Sequence, residues 1–122
     1  NMRLPISMAL DWPHRVAQAG EPLDWTAQTA WTFEPLDAEA FPAVALARQV
    51  GLAGGAFPAV FNAANEEAVS AFHDGRIRFV DIVDTIDRVV AEFAPESGEL
   101  TVASLARAEH WARSATNRLI SS

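Results

Sequence analysis

The sequence predicts a mainly α-helical chain, a helical bundle over residues 38–122 preceded over residues 1–37 by a short helix and a β-strand segment. Three observations lead to this. From residue 42 onward apolar residues recur at three- and four-residue steps, which gathers them on one helix face. Residues that begin and end helices punctuate those stretches: Pro42, Pro58, Asp81 and Thr101 at the starts, Gly51 and Gly75 at the ends. A single stretch, TAWTF at residues 29–33, alternates with a period of two and reads as a strand.

Taken in order, residues 2–19 (MRLPISMALDWPHRVAQA) place Pro5 as a first helical residue, followed by Ile6, Met8, Ala9 and Leu10, until Pro13 breaks the helix. Gly20 and Pro22 mark a turn. Residues 22–37 (PLDWTAQTAWTFEPLD) carry Trp25, Trp31 and Phe33, and the alternation sends Trp31 and Phe33 to one face and Ala30 and Thr32 to the other. A strand there needs a partner for its backbone and a cover for its aromatic face. A helix over 42–50 is closed by Gly51, and LAGGA at 52–56 is a flexible link. FPAVFNAANEEAVSAF at 57–72 is one helix with Phe61, Ala64, Ala68 and Phe72 on a face, ended by Gly75. Its opening FPAV repeats residues 41–44, but nothing else matches at a fixed period, so these are independent helix starts. IRFV at 77–80 leads to Asp81, the expected N-cap of a helix from 82 to about 93 with Ile82, Ile86, Val89, Val90 and Phe93 as its stripe. After a loop with Pro95, Ser97 and Gly98, Thr101 caps a last helix from 102 to about 119 that buries Leu105, Ala108, Trp111, Ala112, Ala115 and Leu119.

At 122 residues, half of them hydrophobic, the chain can bury a core. Its 9 basic and 16 acidic residues give a formal charge of −7, which repels phosphate backbones and anionic lipid, so neither nucleic acid nor a membrane is expected as partner. No apolar run approaches a membrane span, and Pro5, Asp11 and Trp12 interrupt any secretory signal. The absence of cysteine removes disulfides, thiol nucleophiles and thiolate metal sites, and suits a cytoplasmic protein. A first residue of Asn followed by MRLPI is what numbering that begins inside a longer protein would give.

Motifs for chemistry are sparse. His14, His73 and His110 lie far apart, with no HxxxH or HExxH. Asp81, Asp84 and Asp87 fall outside the apolar stripe as solvated charges. Glu66 and Glu67 diverge by about 100° around their helix and are not expected to clasp one ion together. Gly54 and Gly55 form a hinge rather than a phosphate cradle, and Ser7, Ser70, Ser104 and Ser114 have no neighbouring base. Asn62 and Asn65 are poor helix-interior residues and read as structural, Asn62 bonding orphan backbone groups near the helix start and Asn65 reaching a neighbouring helix end or loop. No residue qualifies as catalytic or metal-binding on pattern.

Several strings go further together. MRLPI at 2–6, WTFEPLD at 31–37 followed by FPAVALA, AGGAFPAVFNAANEEAVSAF at 53–72 with NAANE at 62–66, and IRFVDI at 77–82 resemble, in that order, the C-terminal third of the 1-deoxy-D-xylulose 5-phosphate reductoisomerase family. The resemblance implies a homodimeric oxidoreductase that rearranges that sugar phosphate and reduces the product with NADPH, using Mg or Mn, to 2-C-methyl-D-erythritol 4-phosphate for isoprenoid precursors. It implies that residues 1–37 are the tail end of an α+β central catalytic domain with its connecting strand, and that 38–122 are the C-terminal helical bundle. The family's glycine-rich cofactor loop, carboxylate metal ligands and phosphate-binding residues have no counterpart here. Met2 of the MR-x-PI string is the one cofactor-binding candidate, because that methionine lies close to the nicotinamide in the family. The implied partner is the rest of the same enzyme, and the chain by itself is expected to be inactive and to bind neither NADPH nor metal. A free-standing acidic helical interaction module is the alternative, in which MRLPI and the strand would be orphan pieces.

Overall fold

The computed structural model describes residues 2–22 and 24–121. Among them are five α-helices and no strand, arranged in two compact units, residues 1–34 and 35–122.

The first unit holds α1 (Arg3–Leu10), with Pro5 in the first turn rather than at its first position. The helix stops before Asp11, whose N–H reaches the Ser7 carbonyl at 3.2 Å. A Cβ at Gly20 would lie 2.9 Å from Leu4 Cδ1, so a larger residue there would displace the end of that side chain. None of the described residues of this unit is buried. The expected strand is corrected: residues 29–33 join no ladder. Trp31 and Phe33 do meet, ring centroids 6.4 Å apart, but they remain 67% and 83% exposed. The physical reason is that alternation supplies a face and not a partner backbone, and the described residues offer none. Leu23, within the same segment, lies outside the described residues.

The second unit contains α2 (Ala43–Ala53), α3 (Phe57–His73), α4 (Phe79–Glu92) and α5 (Val102–Ile120). Helix α3 is the hub, packed against α5 and α4 and less extensively against α2. Two boundaries differ from expectation. Helix α2 runs through Gly51 and ends at Gly54, which takes the positive φ of 66° that a glycine tolerates. Helix α4 begins at Phe79, so Asp81 is its third residue instead of its cap. From there the Asp81 carboxylate accepts the Arg78 backbone N–H at 2.8 Å and the Arg78 guanidinium at 2.6 Å, satisfying a donor at the helix start from inside. The end of α3 is as expected: Gly75 has φ 72°, its N–H bonds the Phe72 carbonyl, and Arg76 N–H bonds the Ala71 carbonyl at 2.9 Å. Thr101 caps α5, accepting the Ser104 N–H at 3.1 Å while Ser104 Oγ accepts the Thr101 N–H at 2.9 Å.

The core joins Leu46 and Val50 of α2, Val60, Ala63, Ala64 and Ala68 of α3, Ile82, Ile86, Val89 and Val90 of α4, and Ala108, Ala112 and Ala115 of α5. Each large aliphatic side chain buried this way contributes about 2 kcal/mol. Phe61 and Phe72, expected on the inner face of α3, are half-buried at its rim. Aromatic rings close one edge, with Phe93 meeting Phe57 at 5.3 Å edge to face and Trp111 at 5.2 Å. The buried Thr85 and Thr116 hydroxyls donate to the carbonyls one turn back, Asp81 at 2.7 Å and Ala112 at 2.8 Å. No buried side-chain polar atom among the described residues lacks a partner.

A chain comprising residues 38–120 should therefore fold alone. Circular dichroism is expected to show a strongly helical spectrum and one cooperative melt, and a flat transition would show that the bundle depends on residues 1–37.

Candidate functional site

The described residues concentrate their polar interactions where α3 meets α5. Asn62 and Glu66 lie one turn apart on α3, as Arg113 and Asn117 do on α5, so each pair shares a face. Asn62 Nδ2 donates to Glu66 Oε1 at 3.0 Å. Arg113 Nη2 donates to Glu66 Oε2 at 2.5 Å and Arg113 Nη1 to Glu67 Oε1 at 3.0 Å. Asn117 Nδ2 completes the set, donating to Glu67 Oε2 at 2.8 Å and to the Arg113 carbonyl at 3.0 Å.

The partner that Glu66 and Glu67 share is a guanidinium, which their reading against a shared metal ion does not consider. A compact metal ion would need both carboxylates at one point, but a guanidinium is a planar fork whose separate N–H groups meet carboxylates arriving from different directions. The reading of the asparagines is corrected. Asn62 reaches a carboxylate one turn along its own helix rather than orphan backbone, and half-buried Asn65 makes no side-chain hydrogen bond among the described residues.

The Glu66 carboxyl is held below its ordinary value of 4.5 by hydrogen bonds from Arg113 and then Asn62. Glu67 is held below 4.5 by Asn117, then Arg113, with Arg76 adding a weaker attraction. A general acid or base at neutral pH needs the opposite shift. Both glutamates are thus ionised at neutral pH and already engaged, which makes the cluster a fastening rather than a reactive centre.

The other candidates stay apart. No group of three or more His, Asp or Glu among the described residues is placed to hold a metal. Met2, at the N-cap position of α1, is 66% exposed. A cleft of about 410 Å³ beside the α4–α5 loop is lined by Phe93, Pro95, Leu100 and Trp111, and its cation Arg107 is already paired with Glu96 at 2.6 Å. None of the described helices is long and apolar enough to cross a membrane. Sequence reasoning missed Arg113 and Asn117. The available signal was their four-residue spacing beside Ala112 and Thr116, and the need of adjacent glutamates for a cation.

The comparisons with known proteins agree with one another. The family model described as the DXP reductoisomerase C-terminal domain matches residues 1–115. The 1-deoxy-D-xylulose 5-phosphate reductoisomerase of Leifsonia xyli subsp. xyli is 63% identical over 120 residues, which are 98% of this chain and 33% of that protein. That of Arthrobacter sp. is 60% identical over 117 residues, 96% of this chain and 29% of that protein. The solved reductoisomerase from Zymomonas mobilis in complex with NADPH is 38% identical with a TM-score of 0.78, and the match covers 100% of this chain and 32% of that one. The chain thus spans about a third of the length of these relatives.

Because both glutamates are depressed in the folded state, their stabilising effect is complete above the unfolded value near 4.5 and is lost as pH falls through the lower folded values. Thermal melts should show the midpoint dropping as pH is taken below 4.5. In E66Q/E67Q that acid-dependent drop should shrink, while the melt at neutral pH moves down.

Proposed function

This chain belongs to the DXP reductoisomerase family, and from that membership we propose that it is the C-terminal part of an NADPH-dependent reductoisomerase converting 1-deoxy-D-xylulose 5-phosphate to 2-C-methyl-D-erythritol 4-phosphate. One observation supports this above the others: the family match runs through residues 1–115 and so through both compact units, linking the exposed N-terminal unit and the bundle as consecutive parts of one kind of enzyme. No comparison supports a free-standing interaction module.

In this reading residues 1–37 finish the central catalytic domain and 38–122 form a structural bundle. The exposed apolar side chains of the first unit, Leu4, Ile6, Leu10, Trp12, Trp25, Trp31 and Phe33, are then surface that upstream domains cover. NADPH, when bound to the complete enzyme, supplies the hydride. Met2 would hold the nicotinamide through its soft thioether, an apolar contact that does not compete for a proton. A Mg or Mn centre does not fit the described residues, whose carboxylates form no cluster of three, so a metal of the complete enzyme would be held by carboxylates of other segments. The chain alone is inactive, because positioned carboxylates and a cofactor loop lie elsewhere. The enzyme is a cytoplasmic homodimer in which the segment around Trp31 gains its backbone partner.

Two outcomes test this. In the complete enzyme, Met2→Ala should raise KM for NADPH about two- to tenfold, the value of a sulfur–ring contact, with KM for the sugar phosphate unchanged; an unchanged NADPH KM would remove Met2 from the cofactor site. By sedimentation at tens of micromolar, the 122-residue chain should be a dimer that Thr32→Pro weakens by deleting a backbone donor, whereas a monomeric parent or an unaffected dimer would exclude residues 22–37 as the interface.

A further inference from the structure

The α3–α5 contact is built from side chains that carry little positional information. Ala63, Ala64 and Ala68 of α3 and Ala108, Ala112 and Ala115 of α5 belong to the same core, and all but Ala108 are within 1% of complete burial. Alanine lets helices approach closely, but its single methyl makes a shallow knob. Shifting α5 by one turn, about 5.4 Å, brings Ala112 and Thr116, or Ser104 and Ala108, into the places of Ala108 and Ala112, and only at the place of Ala115 does a larger residue, Leu119 or Trp111, arrive. Thr116, the other fully buried residue of α5, has turned its hydroxyl onto the Ala112 carbonyl of its own helix and makes no polar contact with α3. Along most of this stripe apolar packing thus favours association of the helices more strongly than it selects one alignment.

Charged and amide groups behave differently, because their partners stand at fixed points. We propose that the Arg113 and Asn117 clasp on Glu66 and Glu67 is a register lock that selects one alignment of α5 on α3. The cross-helix groups stand at adjacent positions of α3 and one turn apart on α5, and Arg113 spans both glutamates while Asn117 takes the remaining oxygen of Glu67. A one-turn slide puts Glu109 and Arg113, or Asn117 and Ser121, into the places of Arg113 and Asn117, so the glutamates meet a like charge or lose the guanidinium. The groups are partly exposed, with side-chain accessibility of 37% for Arg113, 51% for Glu66 and 25% for Glu67. Such pairs add little to total stability. Their effect is on the difference between alignments, the role in which polar groups at helix interfaces are best attested. The adjacent glutamates and Asn62 of NAANEE acquire a common purpose: Asn62 steadies Glu66, and the two carboxylates present a pair of acceptors that one guanidinium can read.

Trp111 reports the alignment, because its ring lies 5.2 Å from Phe93, which follows α4 rather than α5. In the 122-residue chain labelled with nitrogen-15, the Trp111 indole N–H, assigned with Trp111→Phe, should give one sharp resonance. In R113M/N117A the far-UV dichroism should keep its helical signal while that resonance splits or broadens into more than one. E66Q/E67Q, which preserves side-chain size, should do the same to a smaller extent. A single sharp Trp111 resonance at the parental position in a folded R113M/N117A would overturn the proposal, since alanine packing would then set the register unaided. If that variant loses its helical signal, E66Q/E67Q decides on the same reading. Loss of helix in both would also overturn it, because a device that only selects register leaves the helices intact.

Discussion

The bundle depends on how closely α3 lets its neighbours approach. Every fully inward position of this helix other than Val60 is alanine: Ala63, Ala64, Ala68 and Ala71. Small side chains at the contact allow interaxial distances toward the lower end of the usual range of about 8 to 10 Å. The larger aliphatics come from the surrounding helices, Leu46 and Val50 from α2 and Ile82, Ile86 and Val89 from α4, so one thin helix is wrapped by thicker stripes. A larger residue at Ala64 or Ala68 would push α5 or α4 outward against the whole layer, which is why overpacking here costs more than the added methylene groups return.

That thinness divides the work between two kinds of interaction. Apolar burial holds the helices together, and polar groups at the margin specify how they sit. The division is visible in the composition of α5, which buries Ala108, Ala112, Ala115 and Thr116 along one line and sets Arg113 and Asn117 immediately beside it. The aromatic group Phe57, Phe93 and Trp111 closes the far edge, joining the start of α3, the end of α4 and the middle of α5. Fixed at one margin by rings and at the other by a guanidinium, α5 has few ways to roll on α3.

Much of this was legible in the residues. The four bundle helices, the Gly75 terminus of α3 and the Thr101 cap of α5 follow from apolar spacing and local backbone chemistry, which act within a few residues of sequence. The misread boundaries are cases where a local signal had a second solution. Gly51 has no atom near its missing Cβ and continues α2, since a glycine weakens a helix without obliging it to stop. Asp81 satisfies the start of α4 equally well from the third position, by reaching back to the Arg78 N–H. The polar clasp was illegible for a different reason: Glu67 and Asn117 are 50 residues apart, and nothing local pairs them.

The first unit shows what sequence alternation cannot decide. Residues 29–33 have the pattern of a strand, and Trp31 and Phe33 keep the same-side relation that the pattern requires, with their rings in contact. Yet a strand is a property of two backbones. With no ladder among the described residues, the pattern yields two exposed rings, and an apolar surface including Leu10 at 82% and Trp25 at 87% exposure. Exposure on that scale, with no buried residue to offset it, is hard to reconcile with a unit that folds for its own sake. The relatives matched across this segment are about three times as long as the chain, and an apolar surface of this extent is the feature of the first unit that motivates the proposal that further domains cover it.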